Sequence, residues 1–214
     1  LPQQIGFIGG GNMAEAIVGA LIRAGVSRPD RIRISDPSPE RRQHLEPTYG
    51  MTTTTDNTEV FNQSAIIVLA VKPQIMTEVL SGLAAAITAN PPSEKKLMVS
   101  IAAGFPIKQI EQHLYAHGQS AELLPVIRVM PNTPALVQAG MSGISANEQA
   151  TAADLSLAEA ILGATGSVLT FPETDLNAVT AVSGSGPAYV FYLVEAMIDA
   201  GVNLGLEPES AGIL

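Results

Sequence analysis

The stretch Gly6-Phe7-Ile8-Gly9-Gly10-Gly11-Asn12-Met13-Ala14 decides how the rest of the chain is read. It joins a short apolar run, Ile5 to Ile8, to a segment in which Ala14, Ile17, Val18 and Leu21 fall at i, i+3, i+4 and i+7. The first pattern suits a buried strand and the second one apolar face of a helix. Between them, Gly9, Gly11 and Ala14 hold the G-x-G-x-x-A form of the dinucleotide-binding turn. There the first glycine permits the sharp exit from the strand, and the second lets a pyrophosphate approach the backbone. The small third residue lets the helix pack on the strand. The helix then aims its free N–H groups and the positive end of its dipole at the phosphates. A glycine-rich turn without a ligand would have the same composition, but its place between strand and amphipathic helix favours a nucleotide.

Outward from this unit the alternation recurs. Ile32 to Ser35, Ile66 to Val71, Leu97 to Ile101, Val126 to Met130 and Ser167 to Phe171 read as further strands. Helical patterns open at Pro39 and run over Gln74 to Ile87, Ile107 to Leu114 and Ala150 to Leu162. Thr52 to Thr55 reads as a strand or its edge. Such alternation predicts an α/β fold with a doubly wound, mainly parallel sheet. Near Pro172 the character changes to helix alone, which divides the chain into 1–171, a dinucleotide-binding domain, and 172–214, a helical one. Ala188 to Leu204 is apolar around most of its circumference, with Val190, Phe191, Leu193, Val194, Met197, Ile198 and Val202. A helix of that kind has to be covered on all sides, and a second copy of the chain is the expected cover.

Composition narrows the function classes. A chain of 214 residues with 46% hydrophobic and 14% charged residues folds around a sizeable core. A net charge of −9 argues against nucleic acid or an anionic membrane as partner. With no cysteine there is no disulfide, thiolate metal site or cysteine nucleophile. The longest apolar run, Ala65 to Val71, is too short to cross a bilayer, and the expected setting is the cytoplasm. No metal-ligand spacing is present, and His44, His113 and His117 fall away from every motif.

Four other stretches fall where chemistry is expected. Ser35-Asp36 ends the second strand, where an acidic residue usually takes the ribose diol of NAD. A 2′-phosphate would meet like charge at Asp36, yet Arg41 and Arg42 stand nearby, leaving NAD and NADP both open. Ala70-Val71-Lys72-Pro73 and Ala102-Ala103-Gly104 lie at the carboxyl ends of strands, where open α/β sheets bind ligands. Arg128-Val129-Met130-Pro131-Asn132-Thr133-Pro134 reads equally as a rigid structural loop or a functional one. Ser183-Gly184-Ser185-Gly186-Pro187 precedes the apolar helix, and such a start offers free N–H groups to a carboxylate.

In order and spacing, the glycine turn, Leu69-Ala70-Val71-Lys72-Pro73, Arg128 to Pro134 and Ser183 to Val190 resemble the pyrroline-5-carboxylate reductase family, over nearly the whole chain. The resemblance implies a Rossmann domain followed by helices that interlock in a dimer. It implies reduction of 1-pyrroline-5-carboxylate to proline, usually with NADPH and often also with NADH. Carried over, it implies dinucleotide contacts at Ile8, Gly9, Gly10, Gly11, Asn12, Met13, Ala14, Ser35, Asp36, Asn57, Ala70, Val71, Lys72, Pro73, Ala102, Ala103 and Gly104. The substrate is expected near Ser183, Gly184, Ser185 and Gly186. Chains of this family continue with further helices and a substrate-seating loop, so a truncated chain is expected here. No residue stands out as a general acid, which suits a cyclic iminium that already attracts hydride. Two rivals remain: a β-hydroxyacid dehydrogenase, which needs a lysine in the helical part, and a dinucleotide-binding chain without turnover. No Lys, Arg or His occurs from Phe171 to Leu214, which weighs against the first.

Overall fold

The computed structural model describes residues 1–115 and 121–214, so His117 lies outside the described residues. Among these, eight strands form one sheet: β1 (Ile5–Ile8), β2 (Ile32–Ser35), β3 (Thr52–Thr54), β4 (Ile66–Leu69), β5 (Leu97–Ser100), β6 (Val126–Met130), β7 (Gly140–Ala146) and β8 (Gly166–Thr170). The order across the sheet is β3-β2-β1-β4-β5-β6-β7-β8. β1 pairs in parallel with both β2 and β4, so the chain winds one way through β2 and β3 and the other way from β4. The strand order therefore reverses between β1 and β4, and a crevice opens at their carboxyl ends.

Helices cover both faces: α1 (Asn12–Arg23), α2 (Pro39–Tyr49), α3 (Asn57–Gln63), α4 (Pro73–Ala89), α5 (Ile107–Leu114) and α6 (Ala152–Gly163). The strands are apolar on both sides and divide their side chains accordingly. Ile5, Phe7, Ile34, Val68 and Val99 pack with Ile17, Leu21 and Ile161 on one face. Ile8, Ile67, Leu69 and Met98 pack with Phe61, Leu80 and Ile110 on the other.

Two elements were not expected. α3 is started by Asp56, whose carboxylate accepts from the Thr58 N–H at 2.7 Å. β7 runs antiparallel to β6. Its residues, Gly-Met-Ser-Gly-Ile-Ser-Ala, are mostly small and carry little strand signal. The reason is packing: a Cβ at Gly143 would come within 2.8 Å of Val179. The strands expected to reach Val71 and Ile101 stop at Leu69 and Ser100, freeing the residues that follow to line the crevice. α6 begins at Ala152, two residues later than expected, because Thr151 and Asp154 cap it reciprocally.

After β8 come α7 (Leu176–Val179), a wide helical turn at Thr180–Gly184, α8 (Gly186–Asn203) and α9 (Pro208–Ile213). No residue of α8 is buried within the chain. Its chief packing partners are α9 and the turn before it.

Candidate active site

The glycine turn works through three backbone geometries. Gly9 has φ +99°, and a Cβ there would lie 2.7 Å from the Ala70 carbonyl oxygen. Its N–H donates to the Ser35 carbonyl at 2.8 Å, fastening the turn to the end of β2. Gly10 donates its N–H to Asp36 Oδ2 at 2.8 Å. Gly11 is the residue before α1; a Cβ there would meet nothing within 4 Å, and no side chain caps the helix. The first N–H groups of α1 thus open onto free space, as an anionic group held by a helix N-terminus requires.

Two adjoining cavities occupy the crevice. One, of about 580 Å³, is lined by Gly9, Gly11, Ser35, Asp36, Asn57, Ala70, Val71 and Lys72 together with Pro37, Thr55, Ile75, Glu78 and Val79. The other, of about 400 Å³, is lined by Gly11, Asn12, Met13, Ala70 to Pro73 and Ile101 to Ala103. They share Gly11, Ala70, Val71 and Lys72, so together they run from the end of β2, past the turn, to the end of β5. This is a shape for an extended two-part ligand. Lys72 immediately precedes α4, whose N-terminus also lacks a side-chain cap.

Some expected contact residues line neither cavity. Ile8 and Ala14 are buried beneath the turn, and Gly10 is packed against Leu45, Asp36 and Ile34. Gly104 has φ +70° and forms the turn after β5. Ser35 is buried, and its hydroxyl donates to Asn57 Oδ1 at 2.6 Å, so the two hold the floor of the β2 end. The carboxylate of Asp36 accepts N–H groups from both Gly10 and Ser38, the latter at 2.9 Å. Pro37 and Thr55, just past the ends of β2 and β3, and Ile75, Glu78 and Val79 on α4 had no sequence signal as site residues, because only the tertiary fold brings them to the crevice.

Ser183 to Gly186 line neither cavity but stand over the end of β6. Asn132 Nδ2 donates to the Ser183 carbonyl and hydroxyl oxygens, each at 3.3 Å. Asn132 Oδ1 accepts from the Met141 N–H at 2.9 Å, so one side chain ties the loop after β6 to β7 and to the helical part. A Cβ on Gly184 would lie 2.6 Å from Met130 Cε, so the stretch packs directly on the end of β6. The serine–glycine stretch is not the free helix start expected. It is itself helical, and the Ser185 N–H donates to the Thr180 carbonyl at 2.8 Å. Widened turns of this kind are frequent at functional sites. Glu173, which carried no sequence signal, accepts from Arg128 Nη1 at 2.9 Å and from the Ile107 N–H at 2.8 Å.

Fold and crevice define an oxidoreductase of the Rossmann type with a helical C-terminal part. Residues 4–104 match the family described as NADP oxidoreductase, coenzyme F420-dependent, and residues 173–214 match pyrroline-5-carboxylate reductase dimerisation. The pyrroline-5-carboxylate reductase of Synechocystis is 44% identical over 95% of this chain and 71% of its own length. A pyrroline-5-carboxylate reductase structure from Coxiella burnetii superposes with a TM-score of 0.85 at 36% identity, covering 100% of this chain and 75% of that one. The pyrroline carboxylate reductase of Plasmodium falciparum with NADP bound gives a TM-score of 0.82 at 29% identity, over 99% and 73%. The chain belongs to the pyrroline-5-carboxylate reductase family.

Proposed function

We propose that this chain reduces 1-pyrroline-5-carboxylate to L-proline, the last step of proline biosynthesis, with NADPH as the dinucleotide and NADH as an alternative. The family relationship carries this reading, because it extends through the glycine turn and the C-terminal helices alike. When bound, the nicotinamide supplies the hydride. The uncapped start of α1 and the open space over Gly11 suit the pyrophosphate. Asp36 and Asn57 border the adenosine end of the crevice, Met13, Ala102 and Ala103 border the other, and Lys72 lies between them. Ser183 to Gly186, held by Asn132, are our candidates for the carboxylate end of the substrate. No general acid is assigned: the residues orient the two reactants, and a protonated cyclic iminium needs little more. The rival β-hydroxyacid dehydrogenase reading is not favoured, since relatives at 40% identity and above are pyrroline-5-carboxylate reductases.

We assign residues 1–171 to dinucleotide binding and 172–214 to association with a second copy. The exposed apolar residues of α8 and the dimerisation match over 173–214 support the latter. Among the described residues no helix is long and apolar enough to cross a membrane. The cytoplasm, with its reduced nicotinamide pool, is the compartment this reading implies. Loss of NADPH absorbance on adding pyrroline-5-carboxylate, with proline as product, is the expected result. A protein that binds NADPH but leaves its absorbance unchanged with this substrate would overturn the activity.

A further inference from the structure

Two arginines of α2 stand beside the adenosine end of the crevice, and they are held differently. Arg41 donates from Nε to the Gly10 carbonyl at 2.5 Å and from Nη2 to the carboxylate of Glu15 on α1. Glu15 is fixed in turn by His44 Nε2 at 2.8 Å and by the Tyr49 hydroxyl at 3.1 Å. Arg42 instead donates from Nη1 to the backbone carbonyls of Asp36 and Pro37, at 2.6 and 3.0 Å. Among the described residues no carboxylate lies within ion-pair distance of Arg42.

Several charges meet at this end. Asp36, Glu78 and Lys72 line the cavity, and Arg42 stands beside it with its charge felt by the exposed Glu40. Arg41 and Glu15, both only about a quarter exposed or less, cancel as a pair. Burial alone would push the Glu15 carboxyl up, but the hydrogen bonds from His44 and Arg41 and the charge of Arg41 outweigh it and hold Glu15 below the usual carboxylate range. It is thus ionised at neutral pH. Gly10 is held between Asp36 and Arg41, its N–H donating to the carboxylate and its carbonyl accepting from the guanidinium. Arg41 therefore borders the glycine turn but is turned onto α1.

We infer that Glu15 is a specificity-determining residue for the dinucleotide: it holds Arg41 on α1 and cancels its charge, weakening the pull of this end on a 2′-phosphate. This rests on the dinucleotide site proposed above. Removing the Glu15 charge leaves that of Arg41 uncancelled and frees a guanidinium that can fork onto a phosphate. The gain falls on NADPH alone, because NADH carries no 2′-phosphate.

The test is the ratio of NADH to NADPH dissociation constants, titrated by cofactor fluorescence at one fixed ionic strength. Glu15→Gln is expected to raise that ratio by roughly three- to tenfold, as one partly screened charge near a phosphate would. Glu15→Gln combined with Arg41→Gln is expected to show no gain over the parent. An unchanged ratio in Glu15→Gln, or a full gain kept in the double variant, overturns the proposal. If Glu15→Gln does not fold, Arg41→Gln alone decides: it leaves the Glu15 charge unopposed and lowers the ratio, and an unchanged ratio overturns the idea. A parent that binds neither dinucleotide overturns the site itself, which is distinct from a parent that binds both while Glu15→Gln changes nothing.

Discussion

Gly9 and Gly11 are two residues apart and are glycine for different reasons. At Gly9 the backbone is left-handed and a Cβ would press on the Ala70 carbonyl, so the constraint belongs to the fold. At Gly11 the backbone is extended, with φ −68° and ψ −179°, and a side chain has room. The constraint there belongs to whatever approaches the helix. Substitutions should separate the two. Gly11→Val is expected to melt within a few degrees of the parent while losing NADPH affinity by at least about a hundredfold, because the branched side chain occupies the pyrophosphate position. Gly9→Ala is expected to lose about 1–3 kcal/mol of stability from strained backbone, and more from the close contact. Calorimetry and dinucleotide titration on both variants check this. A Gly11→Val protein that binds NADPH as the parent does would remove the turn from the site.

Among the elements, β7 and α5 show how packing settles what local sequence leaves open. Asn147, just past β7, accepts from the Val126 N–H at 3.0 Å and donates to Glu111 at 2.9 Å and to the Tyr115 hydroxyl at 3.1 Å. Tyr115 in turn donates to the Leu124 carbonyl at 2.6 Å, closing the end of α5 against the start of β6. Burial chiefly, with the nearby charge of Glu111, pushes the Tyr115 phenol up to about 12, although the Asn147 hydrogen bond opposes this. The folded state thus holds the phenol proton more tightly than the unfolded chain, whose tyrosines titrate near 10. Its stabilising contribution is whole below about pH 10 and is lost as pH rises toward about 12. Tyr115→Phe is expected to flatten that alkaline loss in denaturant titrations. At neutral pH it should cost about 1–2 kcal/mol, since Leu124 and Asn147 each lose a partner. An alkaline limb unchanged in the variant would assign the loss to another group.

Viewed whole, the molecule buries the central strands of its sheet and leaves α8 bare. Tyr189, Phe191, Leu193 and Met197 are each 60% exposed or more. Burying each such side chain is worth roughly 1.5–3 kcal/mol, and a contiguous apolar face of this size marks an association surface. Leu193→Glu with Met197→Glu places two charges one turn apart on that face without touching the core. Sedimentation is expected to show the parent self-associating and this variant as a monomer, with dinucleotide affinity changed less than about twofold because no α8 residue lines the crevice. A parent that sediments as a monodisperse monomer at high concentration would count against α8 as the interface.

What the sequence determined by itself was whatever repeats locally or depends on backbone shape. The alternation of apolar runs and helical faces specified a doubly wound sheet, and the Gly9–Ala14 turn marked the end at which its crevice opens. The helical pattern after Pro172 marked a segment unable to cover itself. These are legible because strand and helix periods, and the glycine demanded by a tight exit, are written in consecutive residues. β7 was not legible, because its small residues answer to α7 packed on Gly143 and not to a strand propensity. Nor were the roles of Glu15, Asn132 and Glu173, each of which acts on a residue far off in the chain. Glu15 meets Arg41, Asn132 meets Ser183, and Glu173 meets Arg128. A charge or an amide has no meaning until its partner is known, and only the tertiary fold supplies the partner. That is why Arg41 reads in the sequence as free for a phosphate and stands in the structure bound to Glu15.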